Sequence, residues 1–119
     1  DWIMDIYVNT DKNISGSQDL KDRYAEMVES TLSRFNDNIT RVEVHLSDEN
    51  SSKKTGQRDI KCNLEAHVKG FHNMAATSLS DDVESAVAGA AEKLKHALDS
   101  FFGKLKDQQY EQLAENKQI

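Results

Sequence analysis

Two segments of the chain alternate apolar and polar residues with a period of two, and this pattern constrains the fold more than any other feature. In residues 39–47, Val42, Val44 and Leu46 alternate with charged residues and a histidine. Residues 60–68 repeat the alternation from Ile60 to Val68. A strand of this period has one face for a core and one for water. We therefore predict two half-buried strands, joined as a hairpin by a long polar connection.

The first helical pattern lies before these strands. A capping box from Ser15 to Gln18, or an N-cap at Ser17, precedes apolar residues that recur every three or four positions up to Phe35. This spacing predicts one face of an amphipathic helix that ends near Asn36.

The second helical pattern follows the strands and is longer. We expect Ser80 to cap it, with acidic residues in its first turn. Its apolar positions are again three or four apart: Val83, Val87, Ala90, Leu94, Leu98, Phe101 and Leu105. The polar tail of residues 108–119 is either an extension of this helix or disordered, and residues 1–107 are expected to form a single domain.

Two further segments complete the predicted order of elements. Residues 3–9 form a first strand, and residues 71–79 form a weaker fourth strand after the turn at Lys69 and Gly70. The order β-α-β-β-β-α predicts an α+β two-layer sandwich, a four-stranded sheet with two helices on one face. A right-handed crossover makes the first two strands parallel, and the next two add as an antiparallel meander.

Composition restricts the function classes. The chain has 15 Lys and Arg against 21 Asp and Glu, a net charge of −6, which disfavours nucleic-acid binding except through a local basic patch. No apolar run approaches a membrane span, and the N-terminus does not resemble a signal peptide, so we expect a cytoplasmic protein without membrane contact. Cys62 is the single cysteine, which excludes an internal disulfide.

The sequence does not predict a catalytic or metal site. With the hairpin centred near Lys53, His45 falls opposite Lys61 and His67 opposite Ile39, so the two histidines lie roughly 20 Å apart. Cys62 follows the apolar alternation of its strand and is expected in the core. No glycine-rich phosphate loop or nucleophile elbow is present. We therefore expect no enzyme activity, metal, cofactor or small-molecule substrate.

Basic residues form two clusters that can contact phosphates. One is in the second helix: Lys93, Lys95, His96, Lys104 and Lys106. Lys93, His96 and Lys104 lie within about 80° of one another on a helix of 100° per residue, which makes them one broad stripe. The other cluster is in the long connection and comprises Lys53, Lys54 and Arg58. A solvated face, with cations that suit the C-terminal half of a helix, explains the first cluster equally well.

With this order of elements, the sequence resembles the ribosome hibernation promoting factors, also called ribosome-associated inhibitor A or sigma-54 modulation proteins. The resemblance covers about residues 4–106. It is carried by four pieces: Asp-Ile-Tyr-Val-Asn at 5–9, Ile-Thr-Arg-Val-Glu-Val-His-Leu at 39–46, Cys-Asn-Leu-Glu-Ala at 62–66, and the helix from Asp82 to Lys95. His-Leu-Ser-Asp-Glu-Asn at 45–50 is similar to short stand-alone members. On this comparison Met4 is expected to be the native start.

The resemblance implies a bacterial stress or stationary-phase factor that binds rRNA of the small ribosomal subunit in the mRNA and tRNA channel and inhibits translation without catalysis. The residues it implies for rRNA contact are Lys93, Lys95, His96, Lys104, Lys106, Arg23 and Arg34. Secondary contacts from Lys53, Lys54 and Arg58 are expected from their basic character alone. Lysine positions of the family's first helix hold Met27 and Ser30 here, and a tyrosine position holds Glu84. The alternative is a divergent paralogue that acts as a protein-interaction module without rRNA binding. Self-association is left open.

Overall fold

A computed structural model describes residues 4–49 and 59–116 of the 119-residue chain. The elements follow the predicted order, with one short 3-10 helix added after the first α-helix. They are β1 (Asp5–Thr10), α1 (Gln18–Leu32), the 3-10 helix (Ser33–Phe35), β2 (Ile39–Asp48), β3 (Ile60–Val68), β4 (Met74–Ser80) and α2 (Val83–Asn116).

The four strands form one sheet in the order β1-β2-β3-β4, which confirms the predicted topology. β1 pairs with β2 in parallel, and β2–β3 and β3–β4 pair antiparallel. α1 packs against β1 and α2, and α2 packs against β3 and β4, so both helices cover the same face of the sheet. The result is the two-layer α+β sandwich that the sequence predicts.

The apolar residues of the alternating strands form the core. Val42, Val44 and Leu64 are fully buried under Val28 of α1 and Leu94 of α2. Ile39 is also buried although it lies three residues before Val42, because the register of β2 shifts between Ile39 and Arg41. Such a bulge inserts one residue into the strand and turns both apolar side chains to the same face.

Helix starts are set by side-chain oxygens. Of the two predicted caps for α1, Ser17 is the one observed, since its Oγ accepts a hydrogen bond from the backbone N–H of Leu20. The predicted cap of α2 at Ser80 is wrong, because Ser80 ends β4. The carboxylate of Asp82 accepts from the Ser85 N–H at 2.8 Å, which is the geometry of an N-cap.

The fourth strand begins later than predicted, at Met74 rather than at residue 71. Gly70 has a positive φ of 78°, and the N–H of Phe71 donates to the carbonyl of Val68 at 3.1 Å. A positive φ at the third position of a turn is the type II arrangement that favours glycine. This turn carries Phe71 toward the helices, where its ring contacts Phe101 edge-to-face at 5.0 Å.

α2 is longer than the sheet that it covers. Its 34 residues span about 51 Å at 1.5 Å per residue. Phe102 is its last residue packed against the core, and it stacks on Phe35 at 6.0 Å between ring centres. The helix then continues into solvent to Asn116, with Tyr110 and Leu113 exposed. Among the described residues, no helix is both long and apolar enough to cross a membrane.

The close approach of α2 to β4 gives a testable difference between two glycines of the same helix. A Cβ added at Gly89 would lie 2.5 Å from Ser78 Oγ and 3.3 Å from its Cβ, whereas one at Gly103 would meet nothing within 4 Å. Gly103→Ala should raise the free energy of unfolding by about 0.5–1 kcal/mol through helix propensity. Gly89→Ala should lose that gain and lower the stability below that of the wild type, as measured by urea denaturation. Equal stabilisation by both substitutions would contradict the close approach.

Candidate functional site

The basic residues of α2 lie on two opposite sides of the helix. At 100° per residue, Lys95 and Lys106 are about 20° apart, and Lys93 and Lys104 are also about 20° apart. The two pairs are separated by about 160° around the helix axis. The predicted contact residues of this helix therefore do not form one surface.

The first side of α2 faces β4. The Lys93 ammonium donates a hydrogen bond to the backbone carbonyl of Thr77 at 3.0 Å, so it is held against the edge of the sheet. The ring of His96 lies 3.7 Å from the Glu92 carboxylate, one turn earlier. Lys104, on the same side, has no ion pair or hydrogen bond within the described ranges 4–49 and 59–116 and extends into solvent.

The second side of α2 faces α1, and ion pairs connect the two helices there. Arg23 of α1 contacts Glu84 at 2.8 Å, and Arg34, in the 3-10 helix that follows α1, binds Asp99 further along α2. The order of these pairs shows that the two helices run in the same direction. Both predicted arginine contacts are thus bound to carboxylates, although each arginine side chain remains more than half exposed.

Lys95 and Lys106 lie on this second side, Lys95 between the two interhelical ion pairs along α2 and Lys106 beyond them. Lys106 lies over the ring of Tyr110 at 6.0 Å, a cation–π distance. Neither lysine forms an ion pair in the part of the chain that the structure describes. Their charges are therefore available to an anionic partner.

The groove between the helices is almost uncharged at its centre. Met27 and Ser30, the positions where the family resemblance led us to expect lysines, line it together with Ala88 of α2. Arg23 and Glu26 lie at its end with opposite charges. α1 therefore contributes no net positive charge to this groove.

The second predicted basic cluster, Lys53, Lys54 and Arg58, lies outside the described residues.

The other face of the sheet carries a cluster that the sequence analysis missed. The observed register places His67 opposite Arg41, two residues from the predicted partner Ile39, and His45 opposite Asn63 rather than Lys61. The prediction was wrong because the long polar connection has turn-forming residues at two places, Asn50 to Ser52 and Gly56, and they do not fix one centre. Arg41 and His45 are four residues apart on β2, so the histidines lie about 13 Å apart along the strands rather than 20 Å.

In the correct register Glu43 and Glu65 are directly opposite each other, with His67 beside them. One ligand atom from each of these three residues lies within 4.8 Å of the others, a spacing that can hold a metal ion. The guanidinium of Arg41 lies against the same atoms, 3.7 Å from Glu43 and 3.3 Å from His67 Nε2. A cation is therefore already present beside the atoms that would bind a metal ion, and it offsets one of the two carboxylate charges.

His67 determines the ionisation of Glu43. Nε2 of His67 lies 3.1 Å from a Glu43 carboxylate oxygen, and this hydrogen bond is the main cause that lowers the pKa of Glu43 below its ordinary value of 4.5. Partial desolvation opposes the shift, and the positive charge of Arg41 adds to it. Glu43 is thus an acceptor that remains ionised, which is a structural role on the sheet surface.

Cys62 lies in the core, fully buried among the strand residues, as the alternation predicts. Burial raises the pKa of its thiol to about 12, so the thiol is protonated at neutral pH. A protonated, inaccessible thiol is a poor nucleophile.

Comparisons with known proteins relate the chain to one protein family and to two solved structures. The sequence model of the family described as sigma 54 modulation protein / S30EA ribosomal protein matches residues 7–106. The N-terminal domain of Protein Y from Thermus thermophilus has a similar structure, with a TM-score of 0.64, 17% identity, and coverage of 82% of this chain and 99% of that domain. A ribosomal subunit interface protein from Coxiella burnetii is similar with a TM-score of 0.54, 20% identity, and coverage of 87% and 99%. No curated protein sequence matches the chain.

The lowered pKa of Glu43 predicts a pH dependence of stability. At pH values between the lowered pKa of Glu43 in the folded protein and its ordinary pKa of 4.5, this carboxyl binds more protons in the unfolded chain than in the folded protein. The stability contributed by Glu43 is therefore fully present above pH 4.5 and is lost as the pH falls through the folded pKa. Glu43→Gln should be less stable than the wild type at pH 7, and the difference should shrink below pH 4.5 in urea denaturation. A difference that stays constant down to pH 3 would contradict this assignment.

Proposed function

The chain belongs to the family of sigma 54 modulation proteins and S30EA ribosomal proteins, and on this premise we propose that it is a non-catalytic factor that binds rRNA of the small ribosomal subunit. In this proposal the outer surface of the two helices occupies the channel used by mRNA and tRNA. Translation is then inhibited by steric competition, in the cytoplasm and under stress. No cofactor takes part.

One observation supports this proposal most directly: the C-terminal half of α2 presents lysines that no carboxylate of the described residues neutralises. Lys95, Lys104 and Lys106 are the three that qualify. An RNA phosphate that replaces water and counterions at each ammonium gains both Coulomb energy and the entropy of counterion release. A chain with a net charge of −6 needs such a local concentration of positive charge to bind RNA.

We assign Lys95 and Lys106 to the centre of the contact, because they share the side of α2 on which α1 lies. The ion pairs of Arg23 and Arg34 lie on either side of Lys95 along α2 and hold the helices together through their carboxylate partners. Since both arginines are more than half exposed, each can contact a phosphate while it remains in its ion pair. Lys104 and His96 extend the contact on the other side of α2, whereas Lys93 is held by the Thr77 carbonyl.

The interhelical ion pairs also favour a second candidate function. Both arginines among the proposed contacts are already bound to carboxylates, and the groove between the helices is lined by Met27 and Ser30 rather than by lysines. A divergent member of the family that binds a protein partner through this groove, without rRNA, explains these features. The two functions predict different salt dependence, because only the RNA complex releases many condensed counterions.

Two double variants of α2 form a matched test of the proposed contact. Lys95→Ala with Lys106→Ala should lower the slope of log affinity against log salt by about two units, since two phosphate contacts are lost. Lys93→Ala with Lys104→Ala removes the same charge from the opposite side and should lower it by about one unit, because only Lys104 is free to contact phosphate. Co-sedimentation with purified small subunits at several salt concentrations measures both slopes.

The outcomes separate the two candidate functions. The Lys95 and Lys106 variant should keep the melting temperature of the wild type, since both side chains are outside the core. The Lys93 and Lys104 variant should be destabilised by at most about 1 kcal/mol, because it loses the hydrogen bond of Lys93 to the Thr77 carbonyl. Failure of the wild-type chain to sediment with small subunits even at low salt would overturn the rRNA proposal. Binding that does not change with salt, or recovery of a protein partner without rRNA, would favour the interaction module.

A further inference from the structure

Three side chains on the outer face of the sheet have the chemistry and the spacing of metal ligands. Glu43 of β2 lies directly opposite Glu65 of β3, and His67 follows Glu65 by two residues, which places it on the same face. All three are half-buried, and one ligand atom of each lies within 4.8 Å of the others. Within residues 4–49 and 59–116, no other group of three His, Cys, Asp or Glu side chains comes this close. The fold thus brings two carboxylates and one imidazole to a single point.

The distances between these ligand atoms fit a tetrahedral ion. Zinc binds imidazole nitrogen and carboxylate oxygen at about 2.0–2.2 Å, so neighbouring ligand atoms around it are roughly 3.3–3.6 Å apart. Nε2 of His67 lies 3.1 Å from a Glu43 oxygen and 3.7 Å from a Glu65 oxygen. Small rotations of these partly exposed side chains are enough to close the arrangement around an ion. Water then takes the fourth position, as in other zinc sites with three protein ligands.

Arg41 and Glu43 make opposite demands on the same nitrogen of His67. The Glu43 carboxylate, at 3.1 Å, accepts a hydrogen bond only if Nε2 carries a proton. The Arg41 guanidinium, at 3.3 Å, donates one only if Nε2 carries a lone pair. One ring nitrogen therefore satisfies only one of these two partners at a time. A metal ion resolves the conflict, because it takes the Nε2 lone pair and the carboxylate oxygens together.

The charges of the cluster also favour a divalent ion. Like charges directly opposite each other destabilise an antiparallel pair, and the Arg41 guanidinium offsets only one of the two carboxylates. Zn²⁺ supplies two positive charges at the distance of a ligand bond. Arg41 also has a second partner nearby, since its guanidinium carbon lies 5.9 Å from the centre of the Tyr7 ring, a cation–π distance. The guanidinium can thus leave the ligand atoms and remain over this ring.

We propose that Glu43, Glu65 and His67 form a zinc site, and that the ion displaces the Arg41 guanidinium when it binds. No metal was expected from the sequence, whose two strand histidines are too far apart to share an ion; the ligands are instead one histidine and two carboxylates. Magnesium and calcium are disfavoured, because they prefer oxygen ligands alone. Three exposed ligands should bind zinc more weakly than a closed four-ligand site, with a dissociation constant in the micromolar range. The helices cover the opposite face of the sheet, so the site is separate from the proposed rRNA contact.

Isothermal titration calorimetry of the metal-free full chain with zinc chloride at neutral pH tests the proposal. The wild type should bind one zinc ion per chain. Glu65→Gln and His67→Gln should each lower the affinity at least about tenfold, since each removes one of the three ligands. Magnesium chloride at the same concentrations should give no saturable binding, because the site offers too few oxygen ligands.

Arg41→Gln distinguishes a metal site from a purely structural cluster. Removal of the competing guanidinium should raise the zinc affinity several-fold, whereas a cluster that Arg41 assembles would lose affinity. His96→Gln is the matched control, because His96 also lies beside a carboxylate, 3.7 Å from Glu92, but belongs to no group of three ligands in the described ranges. It should bind zinc as the wild type does. Unchanged far-ultraviolet circular dichroism establishes that each variant is folded.

Nuclear magnetic resonance of the histidine rings identifies the ligand directly. One equivalent of zinc should shift the imidazole signals of His67 and leave those of His96 in place.

Three results would overturn the proposal. They are no saturable binding up to about 1 mM zinc, an affinity that Glu65→Gln and His67→Gln leave unchanged, or an affinity that Arg41→Gln does not raise. None of them bears on small-subunit binding, which depends on α2.

Discussion

Burial of one face of the sheet under two helices is the constraint on which the rest of the structure depends. Val44 and Leu64 on the strands and Leu94 on α2 are fully inaccessible to water. At roughly 25 cal/mol per Å² of apolar surface, such residues supply most of the stabilisation of a domain of this size. Because only one face is apolar, the other face can carry charges, and the outer surfaces of the helices are free for a partner.

The pairing between the helices decides which charges remain available. The Arg23–Glu84 pair binds α1 to α2, and the Arg34–Asp99 pair binds the 3-10 helix after α1 to the same helix. Ion pairs this exposed contribute at most about 1 kcal/mol each to stability. Their larger consequence is electrostatic, because they neutralise two arginines and leave the positive charge of the helical layer to α2.

The periodic patterns were sufficient to predict the order of elements, the strand directions and most of the core. The alternation of β3 predicted its bounds without error, because each of its inward residues is apolar. The ends of the other elements were harder to predict from the sequence. Asp82 rather than Ser80 caps α2, since both residues are good caps and only the length of β4 distinguishes them. Nothing in local propensity shows that the chain after Gly70 turns toward Phe101 before it enters β4.

The candidate site was less predictable than the fold, because it depends on pairing between distant segments. The Glu43–Glu65–His67 cluster exists only in one register of the hairpin, and a long polar connection with turn-forming residues at more than one place cannot determine that register. In the same way, the sequence showed that α2 carries a stripe of basic residues. It did not show that β4 and α1 lie on opposite sides of this helix. Partners such as Thr77 and Asp99 belong to tertiary contacts that no spacing along the chain reveals.

The central claim is that the helical layer, and not the sheet, contacts the ribosome. Chemical acetylation of lysines, read by mass spectrometry in the free chain and in the complex with small subunits, measures this directly. The account predicts strong protection of Lys95 and Lys106 and unchanged reactivity of Lys61, which lies on the outer face of β3. Protection of Lys61 with unchanged reactivity of Lys95 and Lys106 would contradict it.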